Sequence, residues 1–385
     1  MISEAKHPEQ QQPWVLQFCH GYDGPFLDCA RQYAALFTGT VFKVCTVYLT
    51  GAPKPEVEVG SMSDEVIFLG YSSRDVRGLK LQAIRHFRRI ASSRDFRLCI
   101  AHRFKPTYIA LLGSNIPVIG VQHAFGVYSK RPRQFFANLF KTRLTLFGVS
   151  NSVRDDIRTH FRSWPAEQIE TLYNRIDIQA VQSQQESRQD ARASLGLPQD
   201  AWVVGNVGRL HPDKDQATLI RGFAIALTKL PAGSLLAIMG SGPLETSLKD
   251  LAAQLGVVEH VRFLGQVPNG RRYFKAFDAF ALTSDHEPFG MVLLEAMAAG
   301  IPIICTDCGG GREVAQEVGD LVPLGDADAL STALVQLAQM SPEQIQLIRE
   351  RMQADLEQRF SDQAIRKTFW SLPALSSYAD KTNHA

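Results

Sequence analysis

Short apolar runs, several closed by a glycine or histidine and followed by an amphipathic stretch, recur through this 385-residue chain. That alternation constrains the fold more than any other feature. Residues 14–19 form the first run; His20, Gly21 and Gly24 follow, and residues 26–37 have helical apolar spacing. Further runs lie at 41–49, 65–69, 98–101 and 117–121, then at 202–207, 235–239, 261–267, 277–282 and 301–305. Buried strands of this length, separated by helices, predict βαβ units and parallel sheets covered on both faces. The fold class expected is therefore α/β and doubly wound, with ligands at the carboxyl ends of the strands. The length is sufficient for two domains of ordinary size.

Residues 283–314 concentrate the most chemistry. They read as loop, helix, tight turn, buried strand, glycine loop and second helix start. Pro288 fits a first helical turn, and Gly300 with Pro302 closes that helix. Gly309, Gly310 and Gly311 are expected to let backbone amides approach a ligand in front of a helix N-terminus. Glu287 and Glu295 frame the first helix. Each alone is ordinarily a solvated acid, Glu287 complementing the helix dipole. Earlier, a buried strand ends at Gly208, followed by Arg209 and Lys214. A glycine that admits the backbone and two cations that neutralise charge suit a diphosphate. Asp213-Lys214-Asp215 has the outline of a metal-binding pair of acids. A lysine between the acids and a helix immediately after them fit a phosphate site better.

Taken together, the Glu-Pro-Phe-Gly of residues 287–290, Glu295 and the triple glycine resemble the nucleotide-sugar site of retaining glycosyltransferases with the GT-B fold. This group contains bacterial glycogen synthases and many lipopolysaccharide-core sugar transferases. The resemblance implies two Rossmann-like domains facing across a cleft. It implies that Glu287 and the amides of Phe289 and Gly290 hold the donor sugar, and that Glu295 accepts from the ribose hydroxyls. Arg209 and Lys214 would bind the diphosphate, with Gly208, Gly240 and Gly242 in loops at the nucleotide and Val267 ending the strand whose backbone reads the base. The histidine near the donor sugar would be His123, which by itself would more often be a structural histidine; His102 is a weaker candidate, evenly balanced between the two. Gly21 matches the family's first glycine loop loosely, and a plain turn serves equally well. Arg175 stands where the family usually has glycine, so the turn there is expected to differ.

The domains expected are a disordered tail over 1–12, an acceptor-binding domain over 13–181 and a nucleotide-sugar-binding domain over 182–360. A helix and tail over 361–385 would return to the first domain. The boundary follows from residues 182–190, which are polar and lack apolar periodicity. The implied reaction is transfer of a hexose, glucose or a related sugar, from a UDP-sugar to an acceptor hydroxyl with retention of configuration. No cofactor or metal is expected.

Composition narrows the remaining readings. Apolar residues make up 45% and charged residues 21%, as in a globular protein, and no apolar run approaches the ~20 residues that cross a bilayer. The polar N-terminus lacks the core of a secretory signal, so a cytoplasmic location is expected. Cys305 and Cys308 have no second pair or histidine at zinc spacing. The net charge of +2 conceals an asymmetry. Residues 74–143 hold fifteen Lys and Arg against Asp75 and Asp95, a segment charge of +13. Such a segment calls for an anionic partner. Within residues 130–147, Phe135, Phe136, Leu139 and Phe140 are expected to share a face among basic residues. That face is either core or a surface for an anionic membrane. A lipopolysaccharide-core or other lipid-linked glycan is therefore the expected acceptor, with peripheral contact at the inner leaflet; a soluble or exopolysaccharide acceptor is the alternative. A glycoside hydrolase would need no phosphate-binding Arg and Lys, and would act on an aryl glycoside without nucleotide. A nucleic-acid-binding protein would show salt-sensitive oligonucleotide binding. An inactive module of the same fold is disfavoured by the intact Glu287, Glu295, Arg209 and Lys214; nucleic acid is not among the partners expected.

Overall fold

The computed structural model describes residues 12–24 and 26–379. The tail expected over 1–12 lies outside the described residues except for Gln12. Among the described residues, contacts divide the chain into two compact units. The first takes residues through Val149, Val153–Leu172 and residues from Arg366 onward, and the second takes Ser150–Ser152 and Tyr173–Ile365.

The first unit holds seven parallel strands: β1 (Trp14–Cys19), β2 (Lys43–Thr50), β3 (Glu65–Tyr71), β4 (Phe96–His102), β5 (Val118–Gln122), β6 (Leu144–Gly148) and β7 (Ile169–Thr171). Their order is β3-β2-β1-β4-β5-β6-β7. The second unit holds six: β8 (Val203–Val207), β9 (Leu235–Met239), β10 (Val261–Gly265), β11 (Ala279–Leu282), β12 (Ile303–Thr306) and β13 (Asp320–Val322), in the order β10-β9-β8-β11-β12-β13. Each sheet is doubly wound. Winding reverses between β1 and β4 in one and between β8 and β11 in the other, which opens a crevice at the carboxyl ends of those strands. In the second sheet the crevice is visible in the pairing. β8 and β11 pair only at Val204–Ala279 and Gly205–Phe280. Beyond that, the Asn206 side-chain amide spans the gap and donates to Ala281 O at 2.8 Å.

The strands are apolar throughout because helices cover both faces. In the second unit, Leu219, Ile220 and Phe223 of the helix Gln216–Ala226 and Leu330 and Leu334 of the helix Ala327–Ala338 pack on Val204, Leu236 and Ile238. Gly222 allows the two helices to meet, since a Cβ there would lie 2.8 Å from Leu330 Cδ2. In the first unit the C-terminal residues complete the core. Trp370 Nε1 donates to Leu36 O, and Phe369 and Trp370 pack edge-on against Phe37.

Three local expectations change. Residues 182–190, expected as a linker or an exposed helix start at the domain boundary, hold a helix start and lie beyond that boundary. The helix Ile178–Gln184 runs into them, and the helix Arg188–Leu195 starts within them, capped by Ser187. Gln182 Nε2 donates to Ala298 O, and Tyr173 to Glu313, so the chain joins the second unit at Tyr173, ahead of that polar stretch. In the helix Arg131–Leu139, the four apolar residues named above do not share a face. Phe135 and Leu139 point outward, 73% and 66% exposed. Phe136 turns inward onto Tyr108, with Phe140 beside it. Pro288 precedes its helix, which begins at Met291 after Gly290 at φ 97°.

Candidate active site at the second switch point

Everything at the β8/β11 crevice follows from two strand ends. β8 delivers Gly208 and Arg209, and a short turn, Pro212–Lys214, brings Lys214 back over the crevice. Asp215, in the left-handed region at φ 42°, caps the helix Gln216–Ala226 by accepting from Thr218 N. β11 delivers Thr283 and Ser284. The Thr283 hydroxyl donates to the carbonyls of Lys214 and Asp215, and Asp285 N donates to Asp213 O. The two loops are thus tied by one backbone hydrogen bond and by the Thr283 hydroxyl.

Between them lies the ion pair that defines the site. Lys214 Nζ is 2.7 Å from Glu287 Oε2, and the Ser284 hydroxyl donates to the same oxygen at 3.3 Å. Both partners are largely buried, with side-chain exposures of 17% and 9%. A charge pair held in such a place acts at a lower effective dielectric than one in water. Arg209 differs. Its side chain is 70% exposed and among the described residues meets Asp213, at 3.3 Å, while Asp213 also contacts His211. An arginine placed this way is free to swing onto an arriving anion.

The glycines read as ligand contacts have structural duties as well. Gly240, at φ 142°, would drive a Cβ into Gly208 O, and a Cβ on Gly242 would strike Leu210 O. The loops after β8 and β9 therefore pack main chain against main chain, with Gly208 N donating to Met239 O and Leu210 N to Ser241 O. Gly309–Gly311 form no loop but the first turn of the helix Gly309–Ala315. Gly310 N donates to Glu287 O at 2.7 Å, and a Cβ on Gly310 would collide with Pro288 O. A Cβ on Gly311 would sit 3.5 Å from Glu287 Cγ. The triple glycine lets this turn lie flat on the Glu-Pro-Phe-Gly loop, and so holds Glu287 in place.

The structure brings Gly208, Lys214, Gly240, Glu287, Phe289 and Gly290 into one neighbourhood. Glu295 stands farther along the helix Met291–Ala298, and Val267 lies beyond β10 at the edge of the sheet. Phe289 is buried. Gly21 and His123 belong to the first unit. A Cβ on Gly21 would meet Thr50 Oγ1 at 2.8 Å, a packing reason for glycine there. His123 Nε2 lies 3.1 Å from His102 Nδ1, the rings stacked. Burial, with the Arg103 charge nearby, pulls His123 down to about 4, so it is neutral at pH 7.

Two residues in these surroundings were not nominated from sequence, nor was Arg192 at the opposite, amino ends of β8 and β11. Ser284 supports the Glu287 carboxylate. Glu313 is buried and accepts from Asn151 N, Ser152 N, the Ser152 hydroxyl and Tyr173. Arg192 is fully buried, donating to Ala276 O, Pro198 O, Gln199 O and Asp278. Only Glu313 carried a signal, as the acid two residues past the glycines.

Comparison with known proteins assigns both units. Residues 31–180 match the family described as Glycosyltransferase Family 4, and residues 187–353 match Glycosyl transferases group 1. The lipopolysaccharide core biosynthesis glycosyltransferase LpsE of Rhizobium meliloti (strain 1021) is 36% identical over 185 residues, 48% of this chain and 53% of that protein. The chain thus spans about half the length of the curated relatives it matches. A glycosyltransferase from Rickettsia africae ESF-5 superposes with a TM-score of 0.81 at 13% identity, over 98% of this chain and 100% of that one. HepE of Anabaena, solved with UDP and glucose, gives 0.74 at 21% identity, over 96% and 100%.

Proposed function

Since the chain belongs to the group 1 glycosyltransferases and has the GT-B fold, we propose that it moves a hexose from a UDP-sugar to a hydroxyl of a lipid-linked glycan, retaining the anomeric configuration. The observation that carries this reading is the buried Lys214–Glu287 pair at the β8/β11 crevice, with Arg209 beside it. The pair offers a cation for a leaving diphosphate and a carboxylate for sugar hydroxyls a few ångströms apart. Support for the donor comes from HepE, solved with UDP-glucose, and for the acceptor from LpsE, a lipopolysaccharide core enzyme.

The chemistry proposed is a front-face displacement. The bond from the anomeric carbon to the diphosphate breaks, the acceptor oxygen bonds to the same face, and the acceptor proton passes to the departing diphosphate. Lys214 and Arg209 stabilise the charge that grows on that diphosphate, usually the largest single contribution to such catalysis. Glu287 positions the sugar.

Because two side-chain cations serve the diphosphate, the reaction is proposed to need no divalent metal. Turnover of a panel of UDP-, GDP-, ADP- and dTDP-sugars is expected to favour UDP and to persist in EDTA. Loss in EDTA with recovery on adding magnesium or manganese would refute the metal-free mechanism, and no turnover of any donor would refute the function itself. Glu295 is proposed to hold the ribose. Glu295→Ala should then raise donor KM more than it lowers kcat, and unchanged affinity for UDP would exclude that role.

The acceptor proposal includes contact with an anionic membrane surface. Phe135 and Leu139 face outward between basic residues of the +13 segment, and Leu79 and Leu81 are also exposed. Lys80 lies 4.8 Å from the Tyr108 ring, which packs on Phe136, so these apolar side chains belong to one region. No described helix is long and apolar enough to cross a membrane. Each engaged Lys or Arg contributes ~1 kcal/mol near anionic lipid. Flotation with anionic liposomes is expected at low salt and is expected to fade at high salt or with neutral lipid. Equal failure with both lipids at low salt would exclude membrane contact and leave a soluble glycan acceptor.

A further inference from the structure

The first unit has its own switch-point cavity, and the chemistry there is unlike that of the second. It encloses about 340 Å³ at the carboxyl ends of β1, β4 and β5, and His20, Arg103, Lys105, Gln122, His123 and Arg133 supply its polar lining. That volume is at the small end of ligand pockets.

Gln122 is the decisive residue. It is 0% exposed, and neither its amide nitrogen nor its amide oxygen has a partner among the described residues. Leaving such a group unsatisfied is costly, so a buried, unpaired amide on a cavity wall implies something to bind.

The surroundings specify charge. The helix Phe104–Gly113 begins at the cavity with no side chain capping it, and its preceding residue Arg103 is held at φ 74°. The positive end of a helix of this length therefore faces the site without a local counter-charge. The Arg103 guanidinium lies 3.7 Å from the Phe26 ring centroid, and that of Arg133 lies 4.8 Å from Phe104 while donating to Val127 O. Both planes are positioned by aromatic rings rather than by acids. Among the described residues neither arginine nor Lys105 pairs with a carboxylate, and no acid lines the cavity. Burial, together with the charges of Lys105 and Arg103, pulls His20 down to about 4, as burial and Arg103 do His123. The imidazoles are therefore neutral hydrogen-bonding groups among cations that lack an anion.

We infer that this cavity binds an anionic substituent of the sugar acceptor, a phosphomonoester or a carboxylate, with Arg103, Lys105 and Arg133 meeting the charge and Gln122 a sugar hydroxyl. The word acceptor rests on the glycosyl transfer proposed above; the anion site does not.

The test is calorimetric titration of the full chain with glucose 6-phosphate, glucuronate and glucose, and separately with UDP. The wild-type protein should bind at least one of the two anionic sugars at least ten-fold more tightly than glucose, and which of them it prefers identifies the anion. Arg103→Gln/Lys105→Gln should abolish that preference with UDP affinity unchanged. Should the double variant fold poorly, Lys105→Gln alone should still reduce the preference several-fold. Equal binding of charged and uncharged sugars by the wild type, or a preference that survives the double substitution, would overturn the anion site. A wild-type protein that prefers the anionic sugar but does not bind UDP would instead count against the glycosyl-transfer reading and leave the anion site standing.

Discussion

Lys214→Ala is expected to lower kcat by ~10²-fold or more, the loss typical when one charge-stabilising donor is removed from a transition state. The same substitution should also reduce stability, because it strips the cation from a carboxylate that is largely buried. Glu287 would keep only the Ser284 hydroxyl, and an unpaired buried charge is costly. These two losses can be separated. In Lys214→Ala/Glu287→Gln both charges are gone, so the melting temperature should recover relative to the single variant while turnover stays low. Arg209→Ala provides the contrast: its exposed side chain makes one long contact, so activity should fall with little change in melting temperature. Near-normal turnover in Lys214→Ala would remove the lysine from the mechanism. Failure of the double variant to recover stability would mean that the pair is held by something other than its charges.

The largest effect on folding is expected at Arg192. Its guanidinium is completely buried and donates to three carbonyls and to Asp278, whose carboxylate also accepts from Val203 N and pairs with Arg188. Arg192→Met would take a donor from all three carbonyls and leave Asp278 with Arg188 and Val203 N alone. The expected cost is ~3–5 kcal/mol, the range for breaking a buried pair by removing one partner. It would be read from urea unfolding as an earlier transition of the second unit. Arg192→Lys should recover part of the loss, because a lysine can serve one or two of these acceptors but lacks the fork that reaches them all. An unfolding midpoint unchanged in Arg192→Met would show that the buried network contributes nothing net.

The sheets were readable from the chain because strands buried on both faces leave continuous apolar runs. β7 and β13 were not: at three residues each, Ile169–Thr171 and Asp320–Val322, they are too short to carry a pattern. The site was readable in its parts and not in its assembly. Lys214 and Glu287 stand 73 residues apart, and nothing local in either segment indicates that one neutralises the other. The glycines have a packing reason that the sequence alone does not disclose. A missing Cβ serves backbone-to-backbone packing as well as ligand approach, and only coordinates reveal that Gly310 faces Pro288. Gln122 and Arg192 were overlooked for a related reason. One closes a strand and the other sits in a polar stretch, and burial of a polar side chain follows from tertiary packing alone.

The C-terminal segment has a consequence for how the protein is made. Phe369 and Leu375 are fully buried in the first unit, Trp370 bonds to Leu36 O, and the Tyr378 hydroxyl donates to Arg97 O. During synthesis these residues leave the ribosome after all of the second unit. The N-terminal sheet, although translated first, must wait with Phe37 and Phe42 lacking their contacts with Trp370 until the C-terminal helix emerges. The order of translation and the order of completion are therefore reversed, and the second unit is the one able to finish its core while the chain is still tethered.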